Sequence, residues 1–182
     1  MKIIALMFGL AVLQLAGAGE IADQYWREHK TNYVTTHEPF SGPTMPATTN
    51  GISEIGIERT PCFGSCPAYV CIIRNDGTVR YHGEAHVDRI GDWETTIAPY
   101  EFHQLANFIA ESGYLQMQDT FTSSVTDGET VYTTFVMRGR RKVFSNYASS
   151  GPPKLWALQR LIDGLSAGAT WRPTVIKSKP KG

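Results

Sequence analysis

The chain has 182 residues, 42% of them hydrophobic and 19% charged, with 17 basic against 17 acidic side chains. That length and composition suit one ordinary globular domain. The charge balance gives no electrostatic basis for binding nucleic acid or an anionic membrane.

The N-terminus opens with Lys2, then an apolar run over residues 3–15 broken only by Gly9 and Gln14, then Ala16, Gly17, Ala18 and Gly19. Charged, apolar and small residues in that order predict a signal peptide over residues 1–19, cleaved after Ala18 or Gly19. The run is shorter than the roughly 20 residues a spanning helix needs, so no permanent membrane span is expected. No cysteine follows the small residues to accept a lipid. The mature protein is therefore expected to be exported, periplasmic or secreted, where disulfides persist. Residues 20–50 are polar, carry Pro39, Pro43 and Pro46, and lack an apolar period, so they read as a Pro/Thr-rich linker.

A single domain is expected over residues 51–170. Ile55 and Ile57 alternate with Glu54, Gly56 and Glu58 as in a half-buried strand. A second strand is read over residues 68–74. Asn75, Asp76 and Gly77 tolerate left-handed backbone and turn the chain into a third strand over 78–82. A fourth is read over 93–97. From 99 to 112 the period changes: Phe102, Leu105, Ala106, Phe108 and Ile109 recur at helical spacing, between Pro99 and Gly113. Residues 130–138 and 141–147 predict a hairpin across Gly139 and Arg140. Residues 152–165 predict a last helix burying Leu155, Leu158, Leu161, Ile162 and Leu165. The order β-β-β-β-α-β-β-α predicts an α+β domain, an antiparallel sheet with two helices packed on one face. Residues 171–182 carry Arg172, Lys177, Lys179 and Lys181 without an acid and read as a solvated basic tail.

The segment Cys62-Phe63-Gly64-Ser65-Cys66-Pro67-Ala68-Tyr69 follows Glu58-Arg59-Thr60 and precedes Asp76-Gly77-Thr78-Val79 and Tyr81. It resembles the opening of the bacterial family called domain of unknown function 6438. The resemblance extends through Gly91, the first helix, Asp119, Thr126-Asp127, the second hairpin and Leu161-Ile162-Asp163, roughly residues 52 to 165. It implies the fold boundaries and an exported location, and it carries no activity.

The cysteines hold the chemistry most open to argument. Cys62 and Cys66 stand four apart, and an oxidising compartment favours a disulfide that staples the loop. Gly64 offers the turn; Pro61 and Pro67 stiffen its shoulders. Cys71 shares a strand face with Tyr69 and Ile73 and reads as a buried free thiol, although three cysteines allow three pairings. The alternative is an envelope copper or thiol-redox site on Cys62 and Cys66, completed by His82 and His86. On an extended strand those histidines would stand ~13 Å apart, too far to share one ion unless a turn intervenes. A zinc site would lack its second cysteine pair.

Gly64-Ser65-Cys66 echoes a cysteine-protease nucleophile segment, but a proline and a strand follow where that chemistry needs a helix N-terminus. His103 reads as a surface histidine. Glu58, Asp76, Asp119, Asp127 and Glu129 show no spacing that fixes an acid–base pair, and neither a phosphate loop nor a dinucleotide fingerprint occurs. No catalytic residue is assigned and no cofactor is expected, copper being the alternative. The leading expectation is a non-catalytic binding module of the cell envelope. It would meet an unknown protein or envelope component through the stapled loop and the aromatic side chains Phe63, Tyr69 and Trp93.

Overall fold

The computed structural model describes residues 51–165 and 167–174. The expected signal peptide and linker, residues 1–50, and residues 175–182 of the expected tail lie outside that range. Among the described residues no helix is long and apolar enough to cross a membrane.

Strands β1 (Ile52–Arg59), β2 (Ala68–Arg74), β3 (Thr78–Ala85) and β4 (Gly91–Thr96) form an antiparallel succession in chain order. Asp76 and Gly77 make the β2–β3 turn: the Asp76 carboxylate accepts the Thr78 amide at 2.8 Å, and Gly77 takes φ +85°. Helix α1 (Pro99–Glu111) starts on Pro99, and the Glu101 carboxylate accepts the Ala98 amide at 2.9 Å, satisfying a donor at the helix start. It ends before Gly113 in the left-handed region, as its punctuation predicts. A 3-10 turn (Tyr114–Gln116) and β5 (Thr120–Phe121) follow, then β6 (Thr130–Met137), β7 (Arg140–Tyr147), α2 (Pro153–Leu165) and β8 (Arg172–Pro173).

The class is α+β, but the order differs from the expected one. Among the described residues the sheet has eight strands in the order β5-β7-β6-β1-β2-β3-β4-β8, and it is mixed because β5 runs parallel to β7. Strands of two residues carry no period, so β5 and β8 leave no trace in the hydrophobic pattern. Trp171 packs against the core and Arg172–Pro173 pairs with β4, so the start of the expected tail belongs to the domain, with Arg172–Pro173 in the sheet. The second hairpin turns on Arg138 and Gly139, at φ +50° and +75°, one residue earlier than read. A two-residue hairpin loop of this kind needs positive φ at both central positions.

Side chains alternate along the strands. Ile55, Ile57, Cys71, Ile73, Val79, Phe135 and Phe144 join Phe102, Leu105 and Ile109 of α1 and Leu155, Leu158 and Ile162 of α2 in one core. On the alternate face Val70 and Ile72 pack with Tyr132 and Val143. Beside them Glu54 binds Arg141 at 2.9 Å and Arg74 at 3.8 Å. β1 is central, and its Glu54 and Glu58 are buried too, so the strand read as half-buried is buried on both faces.

Two stripe assignments shift. Leu161 is exposed, because it lies off the 155–158–159–162 face, and Gln159 is buried in its place. There the Gln159 amide donates to Thr133 Oγ1 at 3.1 Å. Phe108 is partly exposed and meets Tyr114 edge-on, their centroids 5.7 Å apart.

Candidate functional site

The residues that invite a functional reading gather at one end of the sheet. Register fixes this: Arg59 pairs with Tyr69, Ala68 with Ala85 and Thr130 with Tyr147. The connections 60–67, 86–90 and 122–129 therefore emerge together, whereas the other end holds the tight turns at 75–77 and 138–139. Strands lie about 4.8 Å apart, so the three longer connections, which reach from β5 to β4 across six strand intervals, span roughly 29 Å. Rigid strands that carry long loops at one end are a common way of presenting a binding surface.

Cys62 and Cys66 form a disulfide, with Cα atoms 5.6 Å apart. Inside the loop the Gly64 amide donates to the Cys62 carbonyl at 2.8 Å. At its entry the Thr60 amide donates to the Thr130 carbonyl at 3.1 Å, and Thr130 returns its own amide to Thr60 Oγ1 at 2.9 Å. The Phe63 amide donates to the Asp127 carbonyl at 3.3 Å, tying the stapled loop to the neighbouring one. The Phe63 side chain is 91% exposed, and Ile90 and Val125 on the two other loops are also exposed. Burying a side chain of this kind against a partner is worth about 1.5–3 kcal/mol.

Behind the loop lies a charged brace. Strand alternation carries Arg59 onto the same face as Ile55 and Ile57, where a lone charge would be unfavourable. Its guanidinium is matched on three sides: Nη2 to Asp163 Oδ2 at 2.8 Å, Nη1 to Glu129 Oε1 at 3.3 Å and Nε to the Tyr69 hydroxyl at 3.0 Å. The Tyr69 hydroxyl in turn donates to Asp163 Oδ1 at 2.5 Å. Burial works against the Arg59 charge, but Tyr69 and Asp163 outweigh it and hold the guanidinium charged beyond its usual range. Burial, then Asp163, keeps the Tyr69 phenol protonated well above its usual range. A phenol and a guanidinium held this way position their neighbours and exchange no proton near neutrality.

The brace separates two hollows. A cleft of about 290 Å³ is lined by Glu58, Thr60, Pro61, Val70, His82 and Glu84, with Arg59 and Tyr69 at its wall. A pocket of about 150 Å³ lies between Tyr69, Tyr81 and Trp171, with Asp163 and Arg89 beside it. Tyr69 stacks on Tyr81 at 5.3 Å, and Tyr81 meets Trp171 edge-on at 5.5 Å. Burial, with Cys71 next in effect, pushes the Tyr81 phenol up to about 12.

The structure separates the residues singled out from sequence. Of the three aromatics, Phe63 alone projects into solvent. Tyr69 belongs to the brace, and Trp93 sits in β4 with its indole nitrogen donating to the Ile90 carbonyl at 2.9 Å. His82 Nδ1 lies 2.6 Å from Asp92 Oδ1, and His86 is an exposed loop residue at φ +53°. Joined in a disulfide, Cys62 and Cys66 offer no thiolate to a metal. Among the described residues no group of three or more His, Cys, Asp or Glu side chains could hold an ion. Cys71 is buried and free. His103 is exposed on α1. Asp76 caps its turn, while Glu129 serves Arg59.

Arg59, Asp163, Arg89 and Trp171 were not assigned a role from sequence. Arg59 alone left a signal, a charge in phase with the apolar residues of its strand. The comparison with curated proteins gives no match. A model of a domain of unknown function matches residues 53–166, a span that includes Arg59, Cys62, Cys66, Tyr69 and Asp163 and leaves out Trp171. The chain therefore belongs to the DUF6438 domain family.

Proposed function

We propose that this protein is a small exported binding module, periplasmic or secreted, that meets a protein or another component of the cell envelope through its stapled loop. The observation that carries the reading is Phe63, 91% exposed on a loop closed by a disulfide and hydrogen-bonded to its neighbour. A large apolar side chain on a preorganised loop loses little conformational freedom on binding, which is what a recognition anchor needs. Ile90 and Val125 extend the same surface. The order of charge, apolar run and small residues over positions 1–19 supports export.

A photo-crosslinking residue placed in turn at 63, 90, 125 and 156 of the full chain, expressed in its own bacterial host, tests the surface. Position 156 serves as the control because Trp156 is exposed on α2 and belongs to none of the three connections. The expected result is a discrete adduct from 63 and its neighbours that is lost when both loop cysteines become serine. Equal labelling from 156, or none from 63, would overturn the reading. Intact mass of the exported protein, with and without alkylation, tests the compartment and the thiol state together. Residues 1–18 or 1–19 missing, with one alkylated cysteine, is expected. Three alkylated cysteines with a retained copper ion would instead establish the metal or thiol-redox reading on Cys62, Cys66, His82 and His86.

A further inference from the structure

We infer that the pocket between Tyr69, Tyr81 and Trp171 is a ligand site separate from the stapled loop, and that it takes a small organic carboxylate with a single ring or short apolar body. The pocket encloses about 150 Å³. Sites for drug-sized molecules begin at roughly 300 Å³, so the occupant is limited to about half that size. The walls are aromatic, and the ring contacts at 5.3 Å and 5.5 Å hold them in place without a ligand.

Charge chooses the sign of the occupant. Asp163 lines the pocket, but both its oxygens are already hydrogen-bonded, one by Arg59, which it shares with Glu129, and the other by the Tyr69 hydroxyl. Arg89 is in a different position. Its guanidinium stands over the Trp171 ring at 5.4 Å, and no ion pair engages it among the described residues. A guanidinium over an aromatic face keeps its in-plane N–H donors, and that planar fork matches a carboxylate. Asp88 adjoins it in sequence, but it is exposed, where solvent and salt screen its opposing charge.

Backbone packing holds Arg89 in position. The β3–β4 connection folds back so closely that a Cβ on Gly83 would overlap the Arg89 carbonyl oxygen. The pocket thus presents a cation that no ion pair engages among the described residues, beside aromatic walls and a carboxylate that is already hydrogen-bonded, and an anion with an apolar body suits the cation and the rings.

Benzoate and its uncharged counterpart benzamide are the probes, titrated into the full-length oxidised protein and followed by calorimetry and tryptophan fluorescence. Saturable benzoate binding is expected, with benzamide weaker by about ten-fold or more, the factor a charge-assisted pair commands. Arg89→Gln should lose benzoate affinity by a similar factor, with melting temperature and benzamide affinity unchanged. Trp171→Phe should lose the fluorescence change on benzoate addition, and a fluorescence change that persists in this variant would place the ligand elsewhere and overturn the assignment. No saturable benzoate signal, equal affinity for the two probes, or an Arg89→Gln protein that binds benzoate as before would each overturn the assignment.

Discussion

Replacing Asp163 by alanine isolates the brace behind the stapled loop. The Arg59 side chain is 9% exposed and Asp163 22%, so water does little to replace the lost carboxylate. Removing one partner of a buried ion pair costs about 3–5 kcal/mol, chiefly because the other charge stays buried. Glu129 remains 3.3 Å from Nη1 and still answers part of that charge. The expected loss is therefore at or just below the lower end, about 2–3 kcal/mol. The Tyr69 hydroxyl loses its acceptor in the same step. Tyr69→Phe should therefore be non-additive with Asp163→Ala, coupling by about 0.5 kcal/mol or more. The assay is urea unfolding without reductant, reading the midpoint at unchanged slope. Asp119 provides the contrast, since it pairs with Lys142 but is 59% exposed. Asp119→Ala should stay within about 0.5 kcal/mol of the parent. An Asp163→Ala loss below about 1 kcal/mol at unchanged slope would refute the reasoning, since Arg59 would then be solvated without its partner.

Changing Cys62 and Cys66 to serine opens the small loop that their bridge closes. For a loop of about five residues, chain entropy predicts a loss of about 2 kcal/mol. Urea unfolding of the variant should match that of the parent in reductant, and an unchanged midpoint would mean that hydrogen bonds alone fix the loop. Stability should also fall at alkaline pH. Tyr69 and Tyr81 hold their protons in the fold to higher pH than in the unfolded chain, so their contribution is whole below about pH 10 and declines as pH rises beyond it. For Tyr81 the decline runs from about 10 to about 12. Its slope stays below the limit of about 1.4 kcal/mol per pH unit for one proton, because solvent reaches part of the ring, and Tyr81→Phe should flatten it. A pH profile of the unfolding midpoint decides this, and identical slopes in parent and variant would count against it.

Local pattern was enough to reveal the four long antiparallel strands around the Cys62 loop, the second hairpin and both helices. Period, turn residues and helix punctuation are properties of neighbours in the chain. The disulfide was legible for the same reason: it joins residues four apart. Local pattern did not separate Phe63 from Tyr69 and Trp93, which read alike as surface aromatics.

Tertiary structure alone decided which distant residues meet. Asp163 lies 104 positions from Arg59 and Glu129 lies 70, so no sequence window contains the brace. It also decided the fate of Tyr69. The same aromatic type that projects at position 63 is enclosed at 69, because alternation turns it to the core face, where α2 supplies a carboxylate. β5 and β8 exist only because longer neighbours offer an edge to pair with, and with β8 comes Trp171, which walls a pocket beside Arg89. Contacts within a few residues are set by the chain's own stereochemistry, whereas contacts across the sheet are set by which strands it places side by side.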